Sequence, residues 1–464
     1  MGFWELGLLK MPLLSITRQL DRQRVLDRLK KEQQELNAGS LAFFEVDFDE
    51  GMALAVIDFL RCSSRSGRHF GELNFYHCPG NRHADKILEV AVALDLFSKF
   101  YIQGRRAPDF RPLSLDLFGL QMKQSRCLRK VRLSVLSLSQ EDASALKIGL
   151  ENSTAKTGNP HLEYFSLSNI HFQKNSLNEI CVGFRNNQSL EAVALVCCGL
   201  EDEEIAGVAN SLASHPRLTE LRLSWNQCRR LGLQALVRLL ACKGSKLESL
   251  DLQHQCTRVR GVRLNEGDRI RVDDFVEGWN RVRNKTLKRL VLVGNRLVDD
   301  DMDSLSMLLR RLPCLEELDL DSNHFTSNGL HIFAKHKIPS RLRVLRLAMN
   351  PLSTETSSAL VKILEVHPEL NVIASSDFWR WTAEDSSIRH LMDINRAGRV
   401  LLKDNDSIPL SVWPLVLARL NPRWGRLGGL NGMYYLLRRG PVLLNRSNVD
   451  SISPKERKRK RDAV

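Results

Sequence analysis

The residues that come nearest to a reactive constellation are Asp299-Asp300-Asp301-Met302-Asp303, which match the DDxxD spacing used to hold magnesium and a diphosphate. They follow Leu297 where a helix would begin, and Arg310-Arg311 stand at its other end, so acids and bases complement the two poles of one helix dipole. Glu201 to Glu204 repeat the arrangement earlier in the chain, and the acids therefore read as helix-capping groups. His77, Cys78 and His83 are zinc-type ligands, but no fourth ligand follows at a zinc spacing. There is no GxxxxGK[ST], HExxH or GxSxG, and Gly425-Arg426-Leu427-Gly428-Gly429 lacks the spacing and preceding strand of a dinucleotide loop. No catalysis, cofactor or metal is expected of this chain.

Two arginine-rich stretches suggest binding instead. Between Cys256 and Val272 stand Arg258, Arg260, Arg263, Arg269 and Arg271 against Glu266 and Asp268, alternating around Asn265-Glu266-Gly267-Asp268. That pattern predicts a two-stranded hairpin able to grip phosphates or an acidic partner. The second stretch is Lys455, Arg457, Lys458, Arg459, Lys460 and Arg461, which reads as a nuclear import address for an importin-type carrier. The net charge is +14, but residues 380–464 hold 17 Lys/Arg against 8 Asp/Glu, so the surplus is local. A local basic tail fits an address better than direct nucleic-acid binding. A nuclear or nucleocytoplasmic location is expected.

These groups must be positioned by 464 residues, 43% apolar and 26% charged. That is too long for one compact core, so the chain forms several domains or a solenoid. Ten scattered cysteines without a CxxC pair read as reduced thiols in an intracellular protein. No apolar run reaches membrane-spanning length, and the N-terminal stretch has neither a basic leader nor a myristoylation signal.

A repeat decides between the two architectures. L-x-x-L-x-L-x-x-N/C-x-L recurs, most clearly at Leu218-Leu221-Leu223-Asn226-Cys228, Leu287-Leu290-Leu292-Asn295-Leu297, Leu315-Leu318-Leu320-Asn323-Phe325 and Leu342-Leu345-Leu347-Asn350-Leu352. Looser copies start at Leu128, Leu162, Leu190, Leu247 and Leu370. From Leu162 the steps are 28, 28, 29, 40, 28, 27 and 28 residues, and the long one contains the arginine-rich insertion. Upstream, Leu41-Phe44-Val46 and Phe70-Leu73-Phe75-Cys78 keep a 29-residue step, and Phe110-Leu113-Leu115 is a weaker candidate. The x-L-x-L alternation makes a short strand, Asn or Cys bonds the turn, and the remainder forms a helix. Strands stack about 4.8 Å apart and helices about 10 Å, so the stack curves with its strands inside.

On these motifs residues 41–378 resemble the ribonuclease-inhibitor-like class of leucine-rich repeats. The resemblance implies an α/β, right-handed βα leucine-rich-repeat solenoid, a horseshoe with a parallel concave sheet, a protein-binding surface and no shared chemistry. The expected organisation is an N-terminal helical cap (1–38, with a helix over 16–36), the solenoid (39–383, with the insertion at 256–272), a C-terminal helical module (384–446) and a disordered basic tail (447–464). Residues 388–444 are similar to a tail module accompanying such repeats in uncharacterised microalgal proteins.

The strand positions facing away from the helices are the expected partner site: Arg222, Ser224, Trp225, Asp251, Gln253, Arg289, Glu317, Asp319, Asp321, Arg346 and Met349. Trp225 with Arg222 has the composition of an interface anchor, and Glu317-Asp319-Asp321 that of an acidic counterpart. The expected function is a non-catalytic scaffold or adaptor for a macromolecular partner. Two alternatives stay open. This repeat class includes GTPase-activating proteins for small GTPases. IRHLMDINR followed by IPLSVWPLVLARL is similar to a SOCS-type box that recruits ubiquitin ligase components.

Overall fold

A computed structural model describes residues 39–105, 113–151, 162–255, 269–277, 283–336, 341–353, 355–370, 372–374 and 386–396, together with 13–17, 24, 27–29 and 31. The chain divides into two compact units, Met1–Asn265 and Glu266–Val464, and the boundary falls inside the arginine-rich insertion. Both are α/β solenoids of strand–helix repeats on an all-parallel sheet.

The first unit runs β1 (Leu13–Thr17), β2 (Ser40–Phe44), α1 (Glu50–Arg65), β3 (Phe70–Tyr76), α2 (Arg82–Ala93), β4 (Phe97–Gln103), α3 (Asp116–Gln124), β5 (Lys130–Ser134), β6 (Ser137–Leu138), α4 (Gln140–Leu150), β7 (Tyr164–Ser168), β8 (His171–Phe172), α5 (Ser176–Asn186), β9 (Ala192–Val196), α6 (Asp202–Leu212), β10 (Glu220–Arg222), α7 (Arg230–Ala241) and β11 (Ser249–Asp251). Its sheet follows the order β1-β2-β3-β4-β5-β7-β9-β10-β11, and β6 pairs with β8 in a small second sheet. The expected N-terminal cap needs a correction. Ile16 lies in β1, which pairs in parallel with β2 and so covers hydrogen-bonding groups that an edge strand would expose. Residues 24, 27–29 and 31 are helical.

The second unit runs α8 (Val272–Glu277), β12 (Arg289–Val291), α9 (Asp301–Leu309), β13 (Glu317–Asp319), α10 (Ser327–Ala334), β14 (Val344–Arg346), α11 (Thr356–Val366), β15 (Val372–Ala374) and α12 (Ser386–Arg396). Its strands lie in the order β12-β13-β14-β15. At its far end α12 packs on α11, burying Ile388. The Asn395 amide there donates to the carbonyls of Leu364, His367 and Leu370 at 3.2, 3.1 and 2.8 Å, satisfying acceptors that the end of α11 leaves open. Among the described residues no helix is long and apolar enough to cross a membrane.

The turn residues do what the repeat pattern requires. The Asn226 side chain donates to the carbonyls of Leu195 (2.7 Å) and Leu223 (2.8 Å) and accepts from the N–H groups of Cys198 and Leu200 (both 3.1 Å). Asn323 repeats the pattern on Leu292, Leu320, Asn295 and Leu297. Gln255 takes the same place before the insertion, donating to Leu223 O at 2.7 Å and accepting from Cys228 N at 3.1 Å. Ile270, fully buried, resumes the apolar pattern after the added residues.

A second fastening joins consecutive helices. Asp202 reaches the start of α7, where its carboxylate accepts from the N–H groups of Arg229 (2.7 Å), Leu231 (2.8 Å) and Gly232 (2.7 Å). Asp299 stands at the equivalent place in the second unit and accepts from Thr326 N at 2.6 Å and Thr326 Oγ1 at 2.7 Å. Glycine is required opposite both. A Cβ on Gly232 would stand 2.8 Å from the Asp202 oxygen, and one on Gly329 would stand 2.4 Å from that of Asp299. Asp299 thus caps the following helix rather than its own. Asp301, the first residue of α9, accepts from Val298 N at 2.9 Å in the turn before the helix.

Candidate interaction face

Strand residues alternate between a buried and a solvated side. Leu73, Phe100, Val131, Phe165, Leu221 and Leu250 are buried against the helices, whereas Glu72, Lys99, Lys130, Tyr164, Glu220 and Ser249 on the other side keep solvent contact. The parallel register aligns the residues of this other side in rows, some of them buried (Asn74, Ser166, Ala192 and Ala194). One row of the first unit reads Glu72, Lys99, Lys130, Tyr164, Ala192, Glu220, Ser249, and the next reads Asn74, Tyr101, Arg132, Ser166, Ala194, Arg222, Asp251.

Most of these strands then turn through a left-handed residue. His77, Val135, Asn169, Cys197, Trp225 and His254 all have φ between 53° and 61°. Such a conformation costs an L-residue about 1–2 kcal/mol. It is held by a hydrogen bond into the next repeat: Trp225 N, for example, donates to Gln253 O at 2.9 Å. This turn holds the Trp225 ring on the His254 ring, with centroids 4.0 Å apart and planes 26° apart, while Trp225 keeps 42% exposure. Burial lowers the His254 pKa. Trp225 therefore stacks on His254, and Arg222 pairs with Glu220 on its own strand.

Other expected contact residues are divided between open and structural roles. Ser224 is buried and its hydroxyl accepts from Gln253 Nε2 at 3.4 Å, so it is not an open contact position. Asp251 accepts from Gln253 N at 3.0 Å. In the second unit Glu317 lies 3.5 Å from Arg289 and 2.9 Å from Arg346, and Asp319 lies 3.7 Å from Arg346. Asp321 accepts from Ala348 N at 2.6 Å. Burial raises the Asp321 carboxyl and pushes Asp319 up to about 6. The expected acidic counterpart is thus a neutralised cluster with Asp319 only 8% exposed. Met349, also left-handed, is 74% exposed beside the Ser322 hydroxyl, which donates to its sulfur at 3.5 Å.

The arginine-rich insertion is corrected where it is described. Residues 269–271 form no strand, and α8 begins at Val272. Arg269 is turned inward and pairs with Asp301, which is 4% exposed, and Arg271 lies 3.8 Å from Asp273. Burying an acid this deeply demands a cation, and Arg269 supplies it. Arg258, Arg260 and Arg263 lie outside the described residues. So do the remainder of the C-terminal module and the basic tail from Lys455 to Arg461. Cys78 donates to Phe43 O at 3.5 Å in the turn position, and burial pushes its thiol up to about 12.

Sequence reasoning missed the strand face of the early repeats. The repeat assigned to Phe110-Leu113-Leu115 is instead at β4, where Phe97, Phe100 and Ile102 fill the three leucine positions and are buried; Leu113 and Leu115 lead into α3. With β4 in place, Phe44 stacks on Tyr76 at 4.6 Å, and Tyr101 meets Tyr76 edge-on at 5.2 Å. Arg132 lies over the Tyr164 ring at 5.1 Å and Lys130 at 5.9 Å. The missed signal was phenylalanine standing at the leucine spacing.

The family model described as Leucine Rich repeat matches residues 311–331, which hold β13 and the start of α10. The NACHT, LRR and PYD domains-containing protein 14 of Mus musculus is 27% identical over 225 residues, 48% of this chain and 21% of that protein. The Tonsoku-like protein of Bos taurus is 37% identical over 91 residues, 19% of this chain and 7% of that one. A Listeria monocytogenes internalin structure covers 76% of this chain and 93% of its own, with 14% identity and a TM-score of 0.37. The chain spans about a fifth of the length of the NACHT relative. The leucine-rich repeat matched at 311–331 is one of a series of strand–helix units that share the L-x-x-L-x-L spacing.

Proposed function

We propose that this chain is a non-catalytic scaffold of ribonuclease-inhibitor-like repeats whose solvated strand face takes a macromolecular partner. The observation that carries the reading is the row structure of that face. Side chains on successive strands stand in register, with Glu72, Lys99, Lys130, Tyr164 and Glu220 partly exposed and Asn74, Ser166 and Ala194 nearly buried, while each described helix packs on a neighbour. Stacked repeats give extended binding surfaces of this kind. Trp225, exposed yet held by its backbone and by His254, has the rigidity and size of an interface anchor. The basic segment Lys455 to Arg461 is proposed as an import address, which gives the adaptor a nuclear place of action.

Affinity purification of the intact chain, repeated with Arg222→Glu combined with Trp225→Ala, tests the reading. A partner recovered with the native chain and lost from a normally folded double variant is expected. Equal recovery would remove the Trp225 end of the face from the account. A fluorescent fusion whose distribution ignores deletion of Lys455 to Arg461 would dispose of the import address.

A further inference from the structure

A groove of about 470 Å³ opens at the edge of the first unit where strands lead into helices, between the first turns of α5 and those of α6. Its floor is apolar: Leu177 and Cys181 are buried, and the partly exposed Phe172 completes it. On the α6 side Glu203, Glu204 and Gly207 line it. Gly207 is exposed in the middle of α6, where glycine is among the weakest helix formers. Gly232 and Gly329 are required because an aspartate packs against each, but a Cβ on Gly207 would meet nothing within 4 Å. The fold supplies no steric reason for this glycine, and its effect is to hold the groove open.

The backbone beside the groove is open as well. In other repeats the carbonyl at the last position of the motif accepts from the following repeat: Leu138 O from Gln173 N at 3.1 Å, Leu200 O from Gln227 N at 2.9 Å and, in the second unit, Leu297 O from His324 N at 2.8 Å. Phe172 holds the same position, and its carbonyl accepts from none of the described residues. The donor corresponding to Gln173 N is Glu201 N, which goes instead to the Glu204 carboxylate at 2.9 Å. His171 and Gln173 donate into the β6 repeat, so strand alternation turns the backbone groups of Phe172 the other way, toward the α6 repeat.

We propose that this groove takes an arginine-bearing extended segment of a protein partner. The segment bonds the outward edge at Phe172 as an added strand and lays one arginine in the groove. The aliphatic stem of that arginine rests on Leu177 and Cys181, and its guanidinium stacks on the Phe172 ring and meets the carboxylates of Glu203 and Glu204. Neither carboxylate pairs with a cation among the described residues. The same acids repel phosphate, which disfavours a nucleic acid. Lys174 on the rim, also without an ion pair among the described residues, opposes the guanidinium, so its removal must tighten binding. The site stands apart from the strand face and adds a second contact to the partner binding proposed above.

The test uses the full chain and an end-blocked peptide, Thr-Val-Arg-Val-Thr, carrying an uncharged dye and read by polarisation beside its counterpart with Gln in place of Arg. The net charge of +14 gives a cationic peptide no general attraction to this chain, so saturable binding reports a specific site. The native chain is expected to bind the Arg peptide saturably and about tenfold more tightly than the Gln peptide. Gly207→Leu fills the open space and should weaken binding by about tenfold without lowering the melting temperature. Glu203→Gln should weaken it about threefold and Lys174→Gln should tighten it about twofold. Arg222→Glu with Trp225→Ala should leave it unchanged. No saturable binding, equal binding of the two peptides, or binding untouched by Gly207→Leu in a chain of confirmed fold would overturn the proposal. So would weaker binding on Lys174→Gln, or loss of the peptide in the strand-face double variant. If the peptide results fail while a protein partner is still lost with Arg222→Glu and Trp225→Ala, this proposal falls and the broader reading stands.

Discussion

The strand faces of the two units handle charge in opposite ways. In the second unit Arg346 sits between Glu317 and Asp319, Arg289 adds a second contact to Glu317, and Asp321 is spent on a backbone N–H. In the first, Lys99 and Lys130 face each other across a ladder and Arg132 joins them. The same repeat thus supports one face where opposite charges are paired across strands and another where two lysines stand opposite each other.

The sharpest way to break this comparison lies beneath the second face. Asp301→Ala would strand the Arg269 guanidinium in a largely buried place, and a loss of about 3–5 kcal/mol is expected from chemical denaturation. The next effect is steric. Gly329→Ala pushes a methyl into the Asp299 carboxylate and should cost about 1–3 kcal/mol. Gly232→Ala in the first unit, where the approach is less close, should cost less. An equal or reversed order would show that the two fastenings are not alike.

Proton linkage gives a third effect on the balanced face. Burial raises the Asp319 pKa from 3.8 to about 6, with Arg346 opposing the shift and Glu317 and Asp321 adding to it. An acid whose pKa is higher in the folded chain takes up a proton on folding, so its contribution to stability is greatest at low pH and is lost as pH rises from about 4 to about 6. Asp319→Asn should flatten that part of the melting-temperature profile. The smallest effect has the opposite sign and belongs to the strand face of the first unit. Lys130→Gln relieves the opposition to Lys99 and should raise stability by a few tenths of a kcal/mol, provided the loss of the Tyr164 contact is smaller.

Much of this molecule was legible in the leucines. From Leu162 onward the spacing located the strands, the turn residues Asn226, Asn323 and Asn350, and the residues facing away from the helices. Three kinds of information were hidden. Aromatic substitution concealed β4, because Phe97 and Phe100 satisfy the same core volume as leucine without matching the motif. Gln255 was hidden because a longer amide reaches the same carbonyls as asparagine. The fastening of Asp202 to Gly232 spans 30 residues and exists only once two repeats are stacked, so no single repeat displays it. The pairing state of Glu317, Asp319 and Asp321 was likewise set by neighbouring strands, which turned an expected open acidic patch into a closed cluster.

The central claim is that the strand side, not the helix side, meets a partner. It is tested most directly by photo-crosslinking from benzoylphenylalanine placed in turn at Tyr101 on β4 and at Leu54, which is 53% exposed on α1. The expected result is a crosslinked partner from position 101 and none from position 54. Crosslinks from position 54 alone, or equal yields from both, would contradict the account.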